Sequence, residues 1–216
     1  MELDGVRIGA RNLADAVAAY TLLLGVEPSR ADGDVHRFQL TRGAVEIVAG
    51  EPGIQSIGFT GAPPAGGWPD AFHGLTVRLG GPVAAVPRAA EVAIDHVVVE
   101  TPDADRAIGL WRDRMGLRLA LDRMFPERGL RLVFFRSGGV TLELAAAHPA
   151  PTVADGPDRL HGVSYRVTNL GARRERLLRA GVDVSEIRRG MRPGTSVATV
   201  RSGTAGVPTL LLEADA

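Results

Sequence analysis

The stretch DHVVVETPDADRAIGLWRDRMGL, residues 95–117, decides the fold. Val97, Val98 and Val99 are stiff at χ1 and favour an extended backbone, so the segment opens as a strand with His96 at its head. Thr101 then offers an oxygen to the orphan amides of a helix's first turn, and Pro102 suits the first helical position. Ala104, Ile108, Trp111 and Met115 fall on one face at helical spacing, and Gly116 permits a left-handed exit. A strand therefore runs straight into a helix that buries one face.

The same grammar recurs on both sides of it. GVRIGARNLADAVAAYTLLLG from Gly5 and GVSYRVTNLGARRERLLRAG from Gly162 each read as a strand, a polar cap (Asn12, Asn169) and a helix closed by a glycine. Leu13, Val17, Tyr20 and Leu24 form the apolar stripe of the first helix, while the RRER run at 173–176 in the last reads as a solvated face. Short strands follow each helix: HRFQL and AVEIVAG in the first copy, LRLALD, LRLVFF and VTLELAA in the middle one, DVSEIR, SVATVR and PTLLLEA in the last. The SGG at 137–139 reads as a hairpin turn. The repeated unit is thus βαβββ.

Residues 51–92 break the pattern. GIQSIGFTG and FHGLTVRLGG read as strands, but APPAGGWPDA between them is too rich in Pro and Gly for a helix. The segment reads as a shortened unit without its helix, with FHGLTVRLGG echoing LHGVSYRVTNLG of the last unit. The expected fold class is α+β, repeated βαβββ units pairing into curled mixed sheets with helices on the outside and a concave face that encloses a pocket. The expected division is a degenerate half over 1–80 (the helix-lacking unit at 51–80), a linker over 81–92, and a domain of two units over 93–216.

Composition narrows the chemistry. With 25 basic and 25 acidic side chains the chain is formally neutral, which argues against nucleic acid as a partner. There is no cysteine, so thiolate chemistry, disulfides and zinc-thiolate sites are excluded and any metal ligands are His and carboxylates. All 25 basic residues are arginine, which excludes a Schiff-base or P-loop lysine. No GxGxxG follows a strand and no G-x-S-x-G is present, so no nucleotide cofactor and no serine-hydrolase elbow are expected. The start, MELDGVRIGARNL, is acidic where a secretory signal is basic, and no apolar run approaches the roughly eighteen residues of a membrane span. A cytoplasmic location without membrane contact is the expectation.

The βαβββ grammar, with DHVVVETPDADRAIGLWRDRMGL followed by GGVTLELA, resembles the vicinal oxygen chelate superfamily, which includes glyoxalase I, methylmalonyl-CoA epimerase, bleomycin and fosfomycin resistance proteins and extradiol dioxygenases. The resemblance is best over residues 94–147 and looser over 4–50 and 158–214. It implies a divalent metal (Zn, Mn, Fe, Ni or Co) in the cavity, holding two neighbouring oxygens of a substrate, with ligands at the head of each first strand and the middle of each last strand. His96 and Glu143 fall on those positions, and alternation along a strand puts Val98 and Glu100 on the face of His96. In the last unit the positions hold Gly162 and Leu211, with Glu213 as a further candidate ligand; His161 is out of phase unless a bulge re-aims it. The first unit has Gly5 and Glu46 there, and the shortened unit has Ser56.

The resemblance further implies a glyoxalase-like lyase or isomerase in which a metal on His96, Glu143 and Glu213 polarises a carbonyl and Glu100 or Glu143 moves the proton. A dioxygenase fits less well, because its triad needs a histidine where Gly162 stands. Arg166 and Ser164 share parity with Gly162, whose missing side chain leaves room for a ligand, and Phe134, Phe135, Met124 and Phe125 are candidate apolar walls or plain core. DRMFPERGLRL, residues 122–132, is a candidate lid. The alternative is a metal-free protein that sequesters a small molecule, with Arg166 orienting it; His96 as a core-edge residue and Glu143 on a solvated face are the plain structural readings. Pairing of units within one chain or between two is left open, which allows a homodimer.

Overall fold

The computed structural model describes residues 1–31, 33–80 and 91–214. Of the expected linker, 81–90 lies outside the described residues. The first unit runs β1 (Glu2–Ala10), α1 (Leu13–Leu24), β2 (Ser29–Arg30), β3 (His36–Gln39) and β4 (Ala44–Ala49). The second retains β5 (Gly53–Thr60) and β6 (Val77–Leu79). The third runs β7 (Val92–Glu100), α2 (Ala104–Ile108) continued by a π-helical turn over Gly109–Arg114, β8 (Arg118–Phe125), β9 (Leu130–Ser137) and β10 (Val140–Ala147). The fourth runs β11 (Arg159–Val167), α3 (Leu170–Arg179), β12 (Arg188–Arg189), β13 (Thr195–Val200) and β14 (Thr209–Ala214).

These strands form two curled mixed sheets of an α+β fold, ordered β2-β3-β4-β1-β5-β6 and β12-β13-β14-β11-β7-β10-β9-β8. In the second sheet the two units meet through their first strands, β7 antiparallel to β11, and each first strand pairs parallel with the last strand of its own unit. The first sheet repeats this: β1 pairs parallel with β4 and antiparallel with β5. Since β6 is parallel to β5, it stands where a last strand belongs. The shortened unit has therefore lost two middle strands as well as its helix. The echo between FHGLTVRLGG and LHGVSYRVTNLG is not positional, because the first lies at a last strand and the second at a first strand.

Local chemistry explains the elements. Asn12 and Asn169 cap α1 and α3 by accepting from the amides of Asp15 and Ala172. In the third unit the cap is Asp103, which accepts from Arg106, while Thr101 receives the Asp103 amide, so the helix starts two residues later than Thr101 and Pro102 suggest. The β9–β10 turn at Gly138 and Gly139 has φ of 61° and 86°, the two left-handed residues of a tight hairpin that only glycine adopts cheaply.

One continuous core joins both sheets: Val6, Ile8, Ile57 and Phe59 of the first, Tyr20, Trp111 and Leu177 of the helices, and Val97, Val99, Leu142 and Tyr165 of the second. The helices cover the convex faces, and both sheets share them. Trp111, fully buried, packs its ring 5.7 Å from Phe59 and 6.1 Å from Phe72 of the shortened unit, so the third unit's helix fills the room left by the lost one. The RRER run is not a solvated face throughout: Arg173 is buried and donates to the Leu23 carbonyl, and Arg176 donates to that of Leu22, closing the C-terminal end of α1. No helix among the described residues is long and apolar enough to cross a membrane.

Candidate active site

The concave face of the second sheet is set by register. Thr141 of β10 lies beside His96 of β7, and Glu143 beside Val98. Across the antiparallel pair, Ser164 lies beside His96 and Gly162 beside Val98. The buried Val97, Val99, Leu142 and Leu144 take the opposite, core-facing side. His96 and Glu143 consequently meet on the concave face, with Nε2 3.6 Å from Oε2 and both side chains mostly buried. That gap is too long for a hydrogen bond and leaves the two groups facing each other.

A bulge completes the arrangement. His96 pairs with Ser164 and Ile94 with Tyr165, so Asp95 is the extra residue, turned onto the face of its neighbour. Its Oδ2 lies 2.9 Å from His96 Nδ1, and its Oδ1 receives Nε of Arg166 at 3.0 Å together with a short contact from Nη2. Burial alone raises the Asp95 carboxyl, but hydrogen bonds from His96 and Arg166 outweigh it and hold the group well below the usual carboxylate range. An ionised carboxylate only accepts, so Nδ1 carries the hydrogen and Nε2 is left facing Glu143. For Glu143 the balance is reversed. Burial pushes its carboxyl up, and the attraction of His96 offsets this only in part.

The other expected site residues are placed as follows. Arg166 reaches Asp95 rather than Glu143 or Glu100. Ser164 is buried opposite His96 with its hydroxyl unbonded among the described residues. Glu100 lies four residues beyond His96, roughly 13 Å along an extended strand, exposed and paired with His161 at 3.0 Å, so it stands outside the pair it was expected to serve. His161 is itself a bulge, as required to re-aim it, but toward Glu100. Glu213 accepts from the backbone amides of Asn169 and Leu170 and thereby caps α3, which removes it from ligand duty.

Gly162 does not open space for a ligand. A Cβ there meets the carbonyl oxygen of Pro208 at 2.8 Å, and Gly5 is pressed in the same way by the backbone of Ala44. Register sets Leu210, not Leu211, beside Ser164 and hence at the position equivalent to Glu143. Phe135 is fully buried on the core side, and Phe134, paired with Glu143, carries the cavity-facing parity instead. The expected lid is a plain extension of the β8–β9 hairpin: Met124 is half exposed, Phe125 lies under the Arg123 guanidinium at 4.9 Å, and Asp122 is paired with Arg131.

The chain's own donors fit a resident catalytic metal only in part. His96 and Glu143 supply two, Gly162 and Leu210 supply none, and among the described residues no three His, Asp or Glu side chains gather to hold an ion. Three protein ligands are usual. Asp95 is the residue that sequence reasoning missed. Its signal was present: each first strand carries a polar residue just before the head position, Asp4, Gln55, Asp95 and His161, and each of the four is a bulge.

Residues 95–199 match the family described as the glyoxalase/bleomycin resistance protein/dioxygenase superfamily. Among solved structures, the chain is similar over 98% of its length to BphC, a halotolerant catechol dioxygenase, at 13% identity with a TM-score of 0.71 and 86% of that chain covered. It is similar over 99% of its length to a mutant of 4-hydroxymandelate synthase from Streptomyces coelicolor, at 12% identity, TM-score 0.70 and 92% coverage of that chain. Methylmalonyl-CoA epimerase from Mycobacterium tuberculosis aligns over 57% of this chain and 88% of its own, at 22% identity and a TM-score of 0.47. No curated protein matches the chain by sequence.

Proposed function

Because the chain belongs, through its second sheet, to the glyoxalase/bleomycin resistance/dioxygenase superfamily, we propose that it is a small-molecule enzyme moving a proton to and from a carbon next to a carbonyl, an isomerase- or lyase-type reaction. The observation that carries this reading is the pairing of a buried, upward-shifted Glu143 with a histidine whose far nitrogen is fixed by Asp95. A buried carboxylate with a raised pKa is a stronger base than a solvated one. Glu143 in its ionised form removes the proton, and the Nε2–H of protonated His96 is given to the carbonyl oxygen as charge develops there. Asp95, anchored by Arg166, steadies the imidazolium from behind. Where the reacting carbon bears a hydroxyl, the protonated Glu143 then gives its proton to the former carbonyl carbon while His96 Nε2 recovers one from that hydroxyl, which moves the carbonyl and returns both groups to their starting states; the plain reverse transfers only exchange the α-hydrogen with solvent. With two donors on the chain, no step is assigned to a metal.

The test is solvent exchange. Small carbonyl compounds incubated with the protein in D2O, in EDTA and separately with Zn2+, Mn2+ or Ni2+, are read by NMR for deuterium at the α-carbon. Wild type is expected to exchange at least one of them in EDTA, and Glu143→Gln and His96→Gln to lose 100-fold or more, within the roughly 10²–10⁴ range of general acid–base contributions. Exchange that appears only with added metal overturns the metal-free form of this reading. Tight binding of the same compounds without exchange overturns the enzyme itself in favour of sequestration.

A further inference from the structure

We infer that the substrate of this site carries an oxyanion, a carboxylate or a phosphate, gripped by Arg136 and Arg118 at the β8 side of the face that holds His96; the inference rests on the catalytic reading above. Register aligns a row of side chains across the second sheet on one face: Arg118 of β8, Arg136 of β9, Thr141 of β10, His96 of β7, Ser164 of β11. His96 of the acid–base pair lies in this row, Glu143 lies in the next one beside Val98 and Phe134, and two guanidiniums stand at one end.

Those two arginines are direct cross-strand neighbours, an arrangement that repels. Neither has an acidic partner among the described residues, whereas Arg131 and Arg166 of the same sheet do. An edge strand carries charge to discourage aggregation, and that alone would leave both side chains in water. Arg136, though exposed, is also tied into the row. Its Nη1 donates to Oγ1 of the buried Thr141 at 2.6 Å, which turns the guanidinium along the row toward His96. One N–H direction is thereby used, and the rest of the fork stays available for a two-pronged grip on an oxyanion. His96 and Arg136 are two strands apart, about 10 Å between backbones, so the anionic group sits a few bonds from the reacting carbon. Half-buried Phe134 and Val98, on the same face, flank the path between them.

Malonate and inorganic phosphate are the probes, each titrated calorimetrically into the full chain at low salt, with dimethyl malonate as the neutral control. At least one anion is expected to bind saturably, more weakly as salt rises, while the diester does not. Arg136→Gln should weaken binding roughly tenfold or more and Arg118→Gln about threefold, as loss of a charge-assisted bond implies. Arg123→Gln, which removes the same charge from the same strand away from the row, should change it less than about twofold. Which anion binds tells carboxylate from phosphate. No binding of either anion, indifference to Arg136→Gln, or equal loss in Arg123→Gln overturns the inference. The two readings fail separately: anion binding without solvent exchange removes the catalytic reading, whereas exchange on neutral ketones that is unaffected by Arg136→Gln removes this one.

Discussion

The two sheets carry the same frame and fill it oppositely. In the second, the head of β7 and the middle of β10 hold His96 and Glu143, with a raised carboxyl and an unbridged 3.6 Å gap. In the first, the equivalent register positions hold Gly5, Glu46, Ser56 and Arg78. There Glu46 is ringed by three guanidiniums, Arg7 and Arg78 at 2.9 Å and Arg37 at 2.8 Å, and Arg78 also donates to Ser56. Burial raises the Glu46 carboxyl, but Arg78, Arg7 and Arg37 together bring it below its ordinary value. The arginine from the shortened unit sits where a last-strand ligand would be, so a fixed cation of the chain occupies the centre of this face. The difference teaches that burial of a carboxylate is not itself a sign of function. What matters is whether its charge is already answered.

The largest consequence is for stability. Glu46→Ala leaves three arginines facing one another around a void and should lower the unfolding free energy by about 3 kcal/mol, at the low end for one partner of a buried ion pair because Arg7 and Arg78 retain some solvent. Urea unfolding measures it. Since the folded Glu46 carboxyl lies below its unfolded value, its contribution is complete above the unfolded pKa and is lost as pH falls through the folded one. The variant should therefore lack that part of the acid-induced loss. A change under about 0.5 kcal/mol, the scale of an ordinary surface substitution, would put Glu46 in the same class as Glu143.

Next in size is an attempt to complete the metal set. Gly162→His restores a histidine at the position equivalent to His96, yet its Cβ meets the Pro208 carbonyl. It should cost roughly 1–3 kcal/mol and bind Zn2+ or Ni2+ no tighter than wild type in a calorimetric titration. Tighter binding with stability intact would show that the backbone yields there and that the third ligand was lost by drift alone.

Smaller, and opposite in sign to the Glu46 change, is Glu143→Gln. A carboxyl whose folded pKa is raised is at its most stable below the unfolded value and loses stability as pH rises through the folded one. The amide removes that loss, so the variant should match wild type near pH 4 and exceed it at neutral pH by on the order of 1 kcal/mol, a modest burial penalty relieved. Thermal melts across pH check the crossing. A variant that is less stable at neutral pH would mean that the ionised carboxylate is held by contacts that balance its burial.

How much of this was legible in the chain follows from the kind of signal each feature leaves. The βαβββ repeat is written in periodicity and glycine placement, as residues 95–117 show, and it led to the sheets, while the meeting of His96 and Glu143 was expected from the family resemblance that the repeat carries. Bulges leave almost no such trace. Parity sent Asp95 to the far face, and only a comparison of Asp4 with Asp95 across units hints that the residue before each head position is displaced. Long-range partners were equally hidden: Glu213 became a helix cap, Arg173 became a clamp on α1, and Gly162 proved to be small because Pro208 crowds it. Each depends on which backbone arrives from elsewhere, which local pattern does not encode.

The subtlest test concerns Arg166, which acts through Asp95 and touches neither reacting group. Its side chain is partly solvated, so removing the ion pair should cost little, less than about 1 kcal/mol. The effect should lie elsewhere. In Arg166→Gln the Asp95 carboxyl loses one of the two partners that hold it down, and its pKa rises toward the ordinary value. The part of stability that depends on ionised Asp95, present above its unfolded pKa and lost as pH falls through the folded one, should accordingly be lost at higher pH than in wild type. At neutral pH Asp95 stays ionised but swings more freely, so the His96 ring loses its fixed angle. Exchange turnover should fall roughly tenfold, as for the loss of an outer-shell partner of a functional histidine, with KM little changed, and the ring resonance of His96 should broaden or shift in NMR. Arg166→Lys, which keeps the charge without the fork, should recover only part of the rate. Unchanged turnover with an unchanged His96 resonance would mean that Asp95 positions the ring unaided, and the relay would end one residue sooner.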